Sequence, residues 1–170
     1  MATAASSWVC HHGIEIISET NTSKTIRVVA YWHNINWTYN INGVSAWVYC
    51  NGEEQQVKWS SSLNATSDGN GSYYLGHYDF TIPKTTSEQN ISCNARITST
   101  SSYVSGTKYS ETTLVNVSAK PYHTVTYDVT GGSGSPANQT KWYDEPVTLS
   151  SVIPVKTGHT FVNWCTNTSN

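Results

Sequence analysis

Apolar and polar residues alternate with a period of two in several short segments of this chain. Thr25–Trp32 and Gln89–Thr98 show the pattern most regularly. Successive side chains of a β-strand point to opposite faces of a sheet, so each segment is predicted to be a strand with one buried face. One face of the first segment carries Ile26, Val28, Ala30 and Trp32, and one face of the second carries Ile91, Cys93, Ala95 and Ile97. The residues predicted to be buried are Ile26, Val28, Ile91, Cys93, Ala95 and Ile97, together with Val48 of a further segment.

Turn residues separate these segments from further strand-like ones. Asn51-Gly52 lies between Ala46–Cys50 and Glu53–Trp59. Both residues of this pair tolerate a positive φ, which predicts a tight β-hairpin. Other candidate strands are Ile14–Glu19, Trp37–Ile41, Tyr73–Ile82 and Thr107–Val117. Roughly seven or eight strands within about 110 residues is the size of an immunoglobulin-like β-sandwich, so the predicted fold class is all-β.

Charge and composition exclude two classes of protein. Charged residues make up 12% of the chain and the formal net charge is −2, so it cannot neutralise a run of phosphates and is not expected to bind nucleic acid. Seven Trp and eleven Tyr supply core-forming side chains that disordered chains lack. No stretch approaches the ~20 apolar residues that span a bilayer, so we expect no membrane insertion.

The pattern of strand-like segments and turns changes near Ala119-Lys120-Pro121, which predicts a domain boundary. Residues 1–119 would form the sandwich, and residues 120–170 a smaller β unit. The strand-like parts of the second unit are His123–Val129, Tyr143–Val152 and His159–Trp164, with a glycine-rich turn at Gly131–Pro136. About 50 residues are marginal for an independent core, so this unit is expected to pack on its neighbour or to be incomplete.

Two motifs in the second unit carry a family resemblance. The first is Tyr127-Asp128-x-x-Gly131-Gly132, and the second is Pro154-x-x-x-Gly158-x-x-Phe161-x-x-Trp164. With their spacing they resemble the Listeria–Bacteroides repeat, also called the internalin B-type repeat, a small β-grasp-like module of bacterial surface proteins and some phage proteins. Asn163 departs from the Gly usual before the final Trp. The resemblance implies a module that is incomplete at its C-terminus, because the family's closing strand would follow Asn170.

The first unit is similar to the N-terminal immunoglobulin-like region of siphovirus minor structural proteins. The matching features are Trp8, the turn Asn21-Thr22-Ser23, the hairpin at Val48–Gly52 and the segment Gly76–Ile82. Members of that family are virion components, often associated with the tail. The resemblance implies the same setting for this chain.

Two cysteine-containing features are candidates for chemical sites. Cys10-His11-His12 clusters possible metal ligands, but neighbours in a strand point to opposite faces, so no metal site is predicted. Cys50 and Cys93 both lie on predicted inward faces. Without an export signal we expect two buried thiols, and an inter-sheet disulfide like that of antibody domains is the alternative. No cofactor site is predicted.

Aromatic residues are the strongest candidates for a binding surface in this sequence. If Val48 and Cys50 point inward, Trp47 and Tyr49 point outward or into a partner. Flat rings stack on sugars and anchor protein interfaces. The candidate interface or glycan-stacking residues are Trp47, Tyr49, Trp37, Tyr39 and Trp59. A contact between subunits is the preferred interpretation, and glycan stacking is the alternative.

The function expected from these observations is non-enzymatic. The chain would be a phage virion structural protein, tail- or fibre-associated and projecting towards the host surface. Met1–Trp8 has neither a basic nor an apolar signal region, which favours assembly in the cytoplasm and release by lysis. Expected partners are other virion proteins and copies of the chain, with a host-surface glycan or protein as a further candidate. The alternatives are a bacterial cell-surface adhesin and a head fibre or capsid decoration.

Overall fold

A computed structural model describes residues 7–35, 39–65 and 71–166. The chain divides into two compact units, Met1–Ala119 and Lys120–Asn170. The strands of the first unit are β1 (Ser7–Glu19), β2 (Ser23–Ile35), β3 (Tyr39–Cys50), β4 (Glu53–Ala65), β5 (Ser72–Pro83), β6 (Gln89–Ser99), β7 (Gly106–Tyr109) and β8 (Thr113–Val117). The second unit contains β9 (Tyr122–Val125) and β10 (Gln139–Trp142). The described residues include no helix, and the predicted all-β class is confirmed.

The first unit is built from two antiparallel sheets. The first sheet has the strand order β1-β2-β5, and the second has the order β4-β3-β6. Both β7 and β8 pair with the remaining edge of β6, β8 along Gln89–Cys93 and β7 along Arg96–Ser99. This arrangement is consistent with an immunoglobulin-like sandwich.

The core fills the space between the two sheets, as the period-two alternation predicts. The residues predicted to be buried in β2, β3 and β6 are confirmed, since each is at most 4% exposed: Ile26, Val28, Val48, Ile91, Cys93, Ala95 and Ile97. Ala30 and Trp32, which alternation places on the same face of β2, are fully buried as well. Trp32 also stacks on Trp8, with ring centroids 4.0 Å apart and planes 7° from parallel. Its Nε1 donates to Asn34 Oδ1 at 2.5 Å.

A β-bulge in β5 brings its backbone close to β4. Ala30 pairs with Gly76 and Tyr31 pairs with Tyr74, so Leu75 is the extra residue. Gly76 has a φ of 151°, and a Cβ built on it would lie 2.6 Å from the Val57 carbonyl oxygen. Glycine is therefore required at this position by both backbone conformation and space.

Several predicted strand limits were wrong. β1 begins at Ser7, well before Ile14, and therefore includes the cysteine–histidine cluster. The single strand predicted over Thr107–Val117 is divided into β7 and β8. The break occurs where the Ser110 amide donates to the Ala95 carbonyl at 2.9 Å and the Ser110 hydroxyl accepts from the Ala95 amide at 2.8 Å. These two bonds replace the regular ladder between the strands.

The second unit has fewer strands than its sequence predicts. β9 and β10 form an antiparallel pair, and an isolated bridge joins Ser133 and Val155. The predicted strands over Tyr143–Val152 and His159–Trp164 are not formed. These segments are instead held in place by aromatic contacts and side-chain hydrogen bonds.

Candidate functional site

The structure places Trp47 and Tyr49 on the side of β3 that faces away from the core. Both are half-buried, whereas Val48 and Cys50 are fully buried. The two aromatic residues therefore lie on the outer face of the second sheet, which we define by Trp47, Tyr49 and their cross-strand neighbours.

Cross-strand pairing builds a row of four side chains on this outer face. The row begins at Gln56 of β4 and continues through Trp47 of β3 and Arg96 of β6 to Tyr109 of β7. Each of these residues lies directly opposite the next one in the neighbouring strand. The Arg96 guanidinium lies over the Trp47 ring, 4.0 Å from its centroid. A cation over the face of a Trp ring is attracted by the ring's electron density. Because Arg96 covers the ring in this way, that face of Trp47 is not open for stacking on a sugar.

An ion pair and a phenol complete the centre of the outer face. Arg96 donates to Glu54 Oε1 at 2.5 Å, and the Tyr49 hydroxyl donates to the same oxygen at 2.5 Å. Two effects raise the pKa of Tyr49 to about 12: the larger is partial burial, and the smaller is the hydrogen bond to the Glu54 carboxylate. The hydrogen bond from Tyr49 is the main cause that lowers the pKa of Glu54, and the hydrogen bond from Arg96 lowers it further. The cluster therefore presents a neutral phenol and a matched pair of charges near neutral pH.

The other aromatic candidates are placed less centrally. Trp59 is 66% exposed. Its neighbour Lys58 pairs with the buried Ala46, so Trp59 lies on the opposite, outer side of β4. Tyr39 is the first residue of β3, and the placement of its side chain is not described. Trp37 lies outside the described residues.

Sequence reasoning missed Glu54 and Tyr109 as members of this face. The alternation in β6 does place Arg96 on the outward side. What the sequence does not give is the register that sets it opposite Trp47. Tyr109, which is 65% exposed, had no comparable signal, because the predicted strand that contained it is interrupted.

The cysteine–histidine cluster is spread over the two sides of β1. Cys10 is buried, with its thiol directed at the Ala95 carbonyl at 3.5 Å, and burial raises its pKa to about 12. His12 Nε2 is 2.9 Å from Thr113 Oγ1, and burial lowers the pKa of this imidazole. His11 is exposed. Within residues 7–35, 39–65 and 71–166, no group of three or more potential ligands could hold a metal ion.

Cys50 and Cys93 occupy neighbouring strands of one sheet. They face each other in the β3–β6 ladder, and both thiols are free. The alternative of an inter-sheet disulfide is therefore wrong. Alternation places both residues on inward faces, but it does not show whether two inward-facing strands belong to the same sheet.

The second unit is organised around three aromatic rings. The Trp164 ring centroid is 4.7 Å from that of Tyr127 and 5.0 Å from that of Phe161. Trp164 Nε1 donates to the Ser150 carbonyl at 3.0 Å, and the Ser150 amide donates to the Tyr127 hydroxyl at 2.8 Å. Tyr127 in turn donates to Gln139 in β10. The aromatic residues of both repeat motifs thus meet in one cluster.

The glycines of the first repeat motif form a tight turn. The Thr130 amide donates to Asp128 Oδ1 at 2.7 Å, and Gly131 has a φ of 74°. A Cβ at Gly132 would lie 2.9 Å from the Val155 carbonyl oxygen, so this position has no room for a side chain. The turn therefore needs glycine at both positions: Gly131 adopts a positive φ, and Gly132 has no space for a side chain.

Among the described residues, no helix is long and apolar enough to cross a membrane.

Neither a search of curated proteins nor a search of solved structures gives a significant match. Residues 123–170 match the family model of the Listeria–Bacteroides repeat domain. Repeats of this family occur in surface-associated bacterial and phage proteins, and the match is compatible with a structural or adhesin role. The second unit is therefore similar to a module of surface-associated proteins.

Proposed function

We propose that this chain is a non-enzymatic structural protein of a phage virion, associated with the tail or a fibre and projecting towards the host surface. The observation that carries the proposal is the tandem of a β-sandwich and a Listeria–Bacteroides-type repeat. The sandwich attaches the chain to the particle, and the repeat acts as a spacer or adhesion module. The resemblance of the first unit to siphovirus structural proteins supports the choice of a virion.

The outer face of the second sheet supports contacts between copies or with other virion proteins. Trp59 and Tyr109 are each about two-thirds exposed, and Trp47 is half-buried beneath Arg96. Tyr, Trp and Arg are the residues enriched at the centres of protein interfaces. Because Arg96 and Glu54 are already paired, a partner could cover them without burying an unmatched charge.

The repeat match equally favours a second candidate function, a bacterial cell-surface adhesin. That candidate differs in location, so the test is where the chain is found. Antibodies against the purified chain would be applied to gradient-purified phage particles and to intact host cells. The proposal predicts antigen in the particles, with immunogold label at the tail. Antigen on intact cells and absent from particles would support the adhesin, and label on the capsid would support a head fibre or decoration protein. Antigen confined to the soluble cell interior would refute all three.

The interface role of the outer face has its own test. We expect Trp47→Ser combined with Tyr49→Ser to reduce incorporation into particles while the near-UV circular dichroism of the isolated chain stays native-like. Tyr103→Ser is the matched control, since Tyr103 is 80% exposed in the loop between β6 and β7. Normal incorporation of the double variant would refute the interface role. Loss of the folded signal would show that the two rings are needed by the core.

A further inference from the structure

The sandwich interior contains a pair of thiols in close contact. Cys50 is the last residue of β3, and Cys93 lies opposite it in β6. Their Sγ atoms are 2.7 Å apart, and both residues are fully buried. The other two cysteines have no such neighbour: Cys10 is directed at a backbone carbonyl, and Cys165 is exposed in the second unit.

The position of this pair in the ladder suits a covalent link. In an antiparallel ladder, pairs that exchange hydrogen bonds alternate with pairs that do not. The next pair is the bonded kind, because the Asn51 amide donates to the Ser92 carbonyl at 3.1 Å. Cys50 and Cys93 are therefore a non-hydrogen-bonded pair, whose Cα atoms lie about 4.5 Å apart. Disulfides form across Cα separations of about 4.4–6.8 Å.

We propose that Cys50 and Cys93 are a modification site at which oxidation forms a disulfide between β3 and β6. The oxidant is a low-molecular-weight disulfide such as oxidised glutathione. One cysteine thiolate attacks it, forming a mixed disulfide and releasing one glutathione thiol. The second cysteine thiolate then attacks the protein-side sulfur and releases the second glutathione thiol. Two electrons pass from the protein sulfurs to glutathione, and the protons lost by the two cysteines end on the released thiols.

Burial determines when this reaction can occur. Neither thiol is accessible to glutathione in the folded sandwich, so the first attack requires folding intermediates or local opening. The end of β3 beside the Asn51-Gly52 turn is the place where such opening exposes Cys50. Once formed, the bond is shielded from reductants by the same burial. The pair is thus expected to remain as thiols in a reducing cytoplasm and to be oxidised outside the cell, whichever surface carries the chain.

The test is oxidation of the full chain, unfolded in urea and refolded with oxidised glutathione. Peptide mapping by mass spectrometry without reduction should show one intramolecular link, between Cys50 and Cys93. Dithiothreitol should reverse it once urea has unfolded the chain and exposed the bond. Oxidation should lower the unfolding equilibrium constant by at least about tenfold relative to the reduced chain of the same sequence.

Variants make the result specific. Cys10→Ser combined with Cys165→Ser should still form the link, and Cys50→Ser should abolish it. The comparison of oxidised with reduced wild-type chain needs no variant to fold. The proposal would be overturned if the refolded chain kept both thiols open to alkylation in urea, if it formed only glutathione adducts, or if Cys50 or Cys93 paired with Cys165 instead.

Discussion

Gly76 offers a sharp test of the packing described for the sandwich. Alanine there must adopt a φ of 151° and place its Cβ 2.6 Å from a carbonyl oxygen and 2.9 Å from the Val57 Cβ. Gly106 is a matched control, since its φ is 121° and no atom lies within 4 Å of the added Cβ. Unfavourable backbone angles cost roughly 1–3 kcal/mol at either site. Overpacking adds about 1–3 kcal/mol at Gly76 alone.

Gly76→Ala is therefore expected to destabilise the first unit by about 1–3 kcal/mol more than Gly106→Ala does. For a unit of this size, that difference lowers the melting temperature by about 4 °C per kcal/mol. Thermal unfolding would be followed by near-UV circular dichroism, which reports on the buried Trp8–Trp32 stack. Equal losses in the two variants would refute the reasoning, because they would show that β4 moves away from the added methyl group at no cost.

Three further predictions concern ion pairs and a hydrogen bond. Hydrogen bonds from Lys84, and to a smaller extent from Lys24, lower the pKa of Glu19 from 4.5 to about 2. The Glu19 carboxylate therefore stabilises the fold above pH 4.5, and this stabilisation is lost as the pH falls to about 2. Melting temperatures measured over this range should therefore fall less steeply for Glu19→Gln than for the wild type. Arg96→Gln should cost about 1 kcal/mol in urea unfolding, since it removes a cation–π contact and a partly exposed ion pair; no change would indicate that the two contacts contribute nothing. Tyr127→Phe should cost about 1 kcal/mol in the second unit and leave the melting of the first unchanged; calorimetry of the full chain would check both.

The buried side of the sandwich could be predicted from the sequence because one physical rule determines it. Period-two alternation fixed which residues of β2 and β6 face the core, and the structure agrees at each of them. The same rule separated Trp47 from Val48. Alternation does not show which strands are neighbours, so the sequence did not reveal that Cys50 and Cys93 lie opposite each other in one sheet.

The outer face and the second unit show the same limit in different ways. The contact of Arg96 with Trp47 depends on cross-strand register, which long-range pairing determines. In the second unit, segments such as Tyr143–Val152 were predicted to be strands, but their backbone is not paired into a sheet. Side chains such as Tyr127 and Trp164 place those segments instead. The spacing of the repeat motifs was more informative than strand propensity in this part of the chain.

The pairing of β1 also determines how the first unit would respond to mechanical force. Ser118, at the end of the unit, donates to Glu19 Oε1 at 3.1 Å and therefore lies beside the C-terminal end of β1. Ser7 is at the other end of this 13-residue strand, roughly 40 Å away at the usual rise per residue. Tension between the two ends of the unit would pull β1 along its own axis. The hydrogen bonds to β2, which extend from Ser7 to Glu19, would then be sheared together instead of opening one after another. A unit connected in this way resists stretching far better than one whose terminal strand can be peeled from its end.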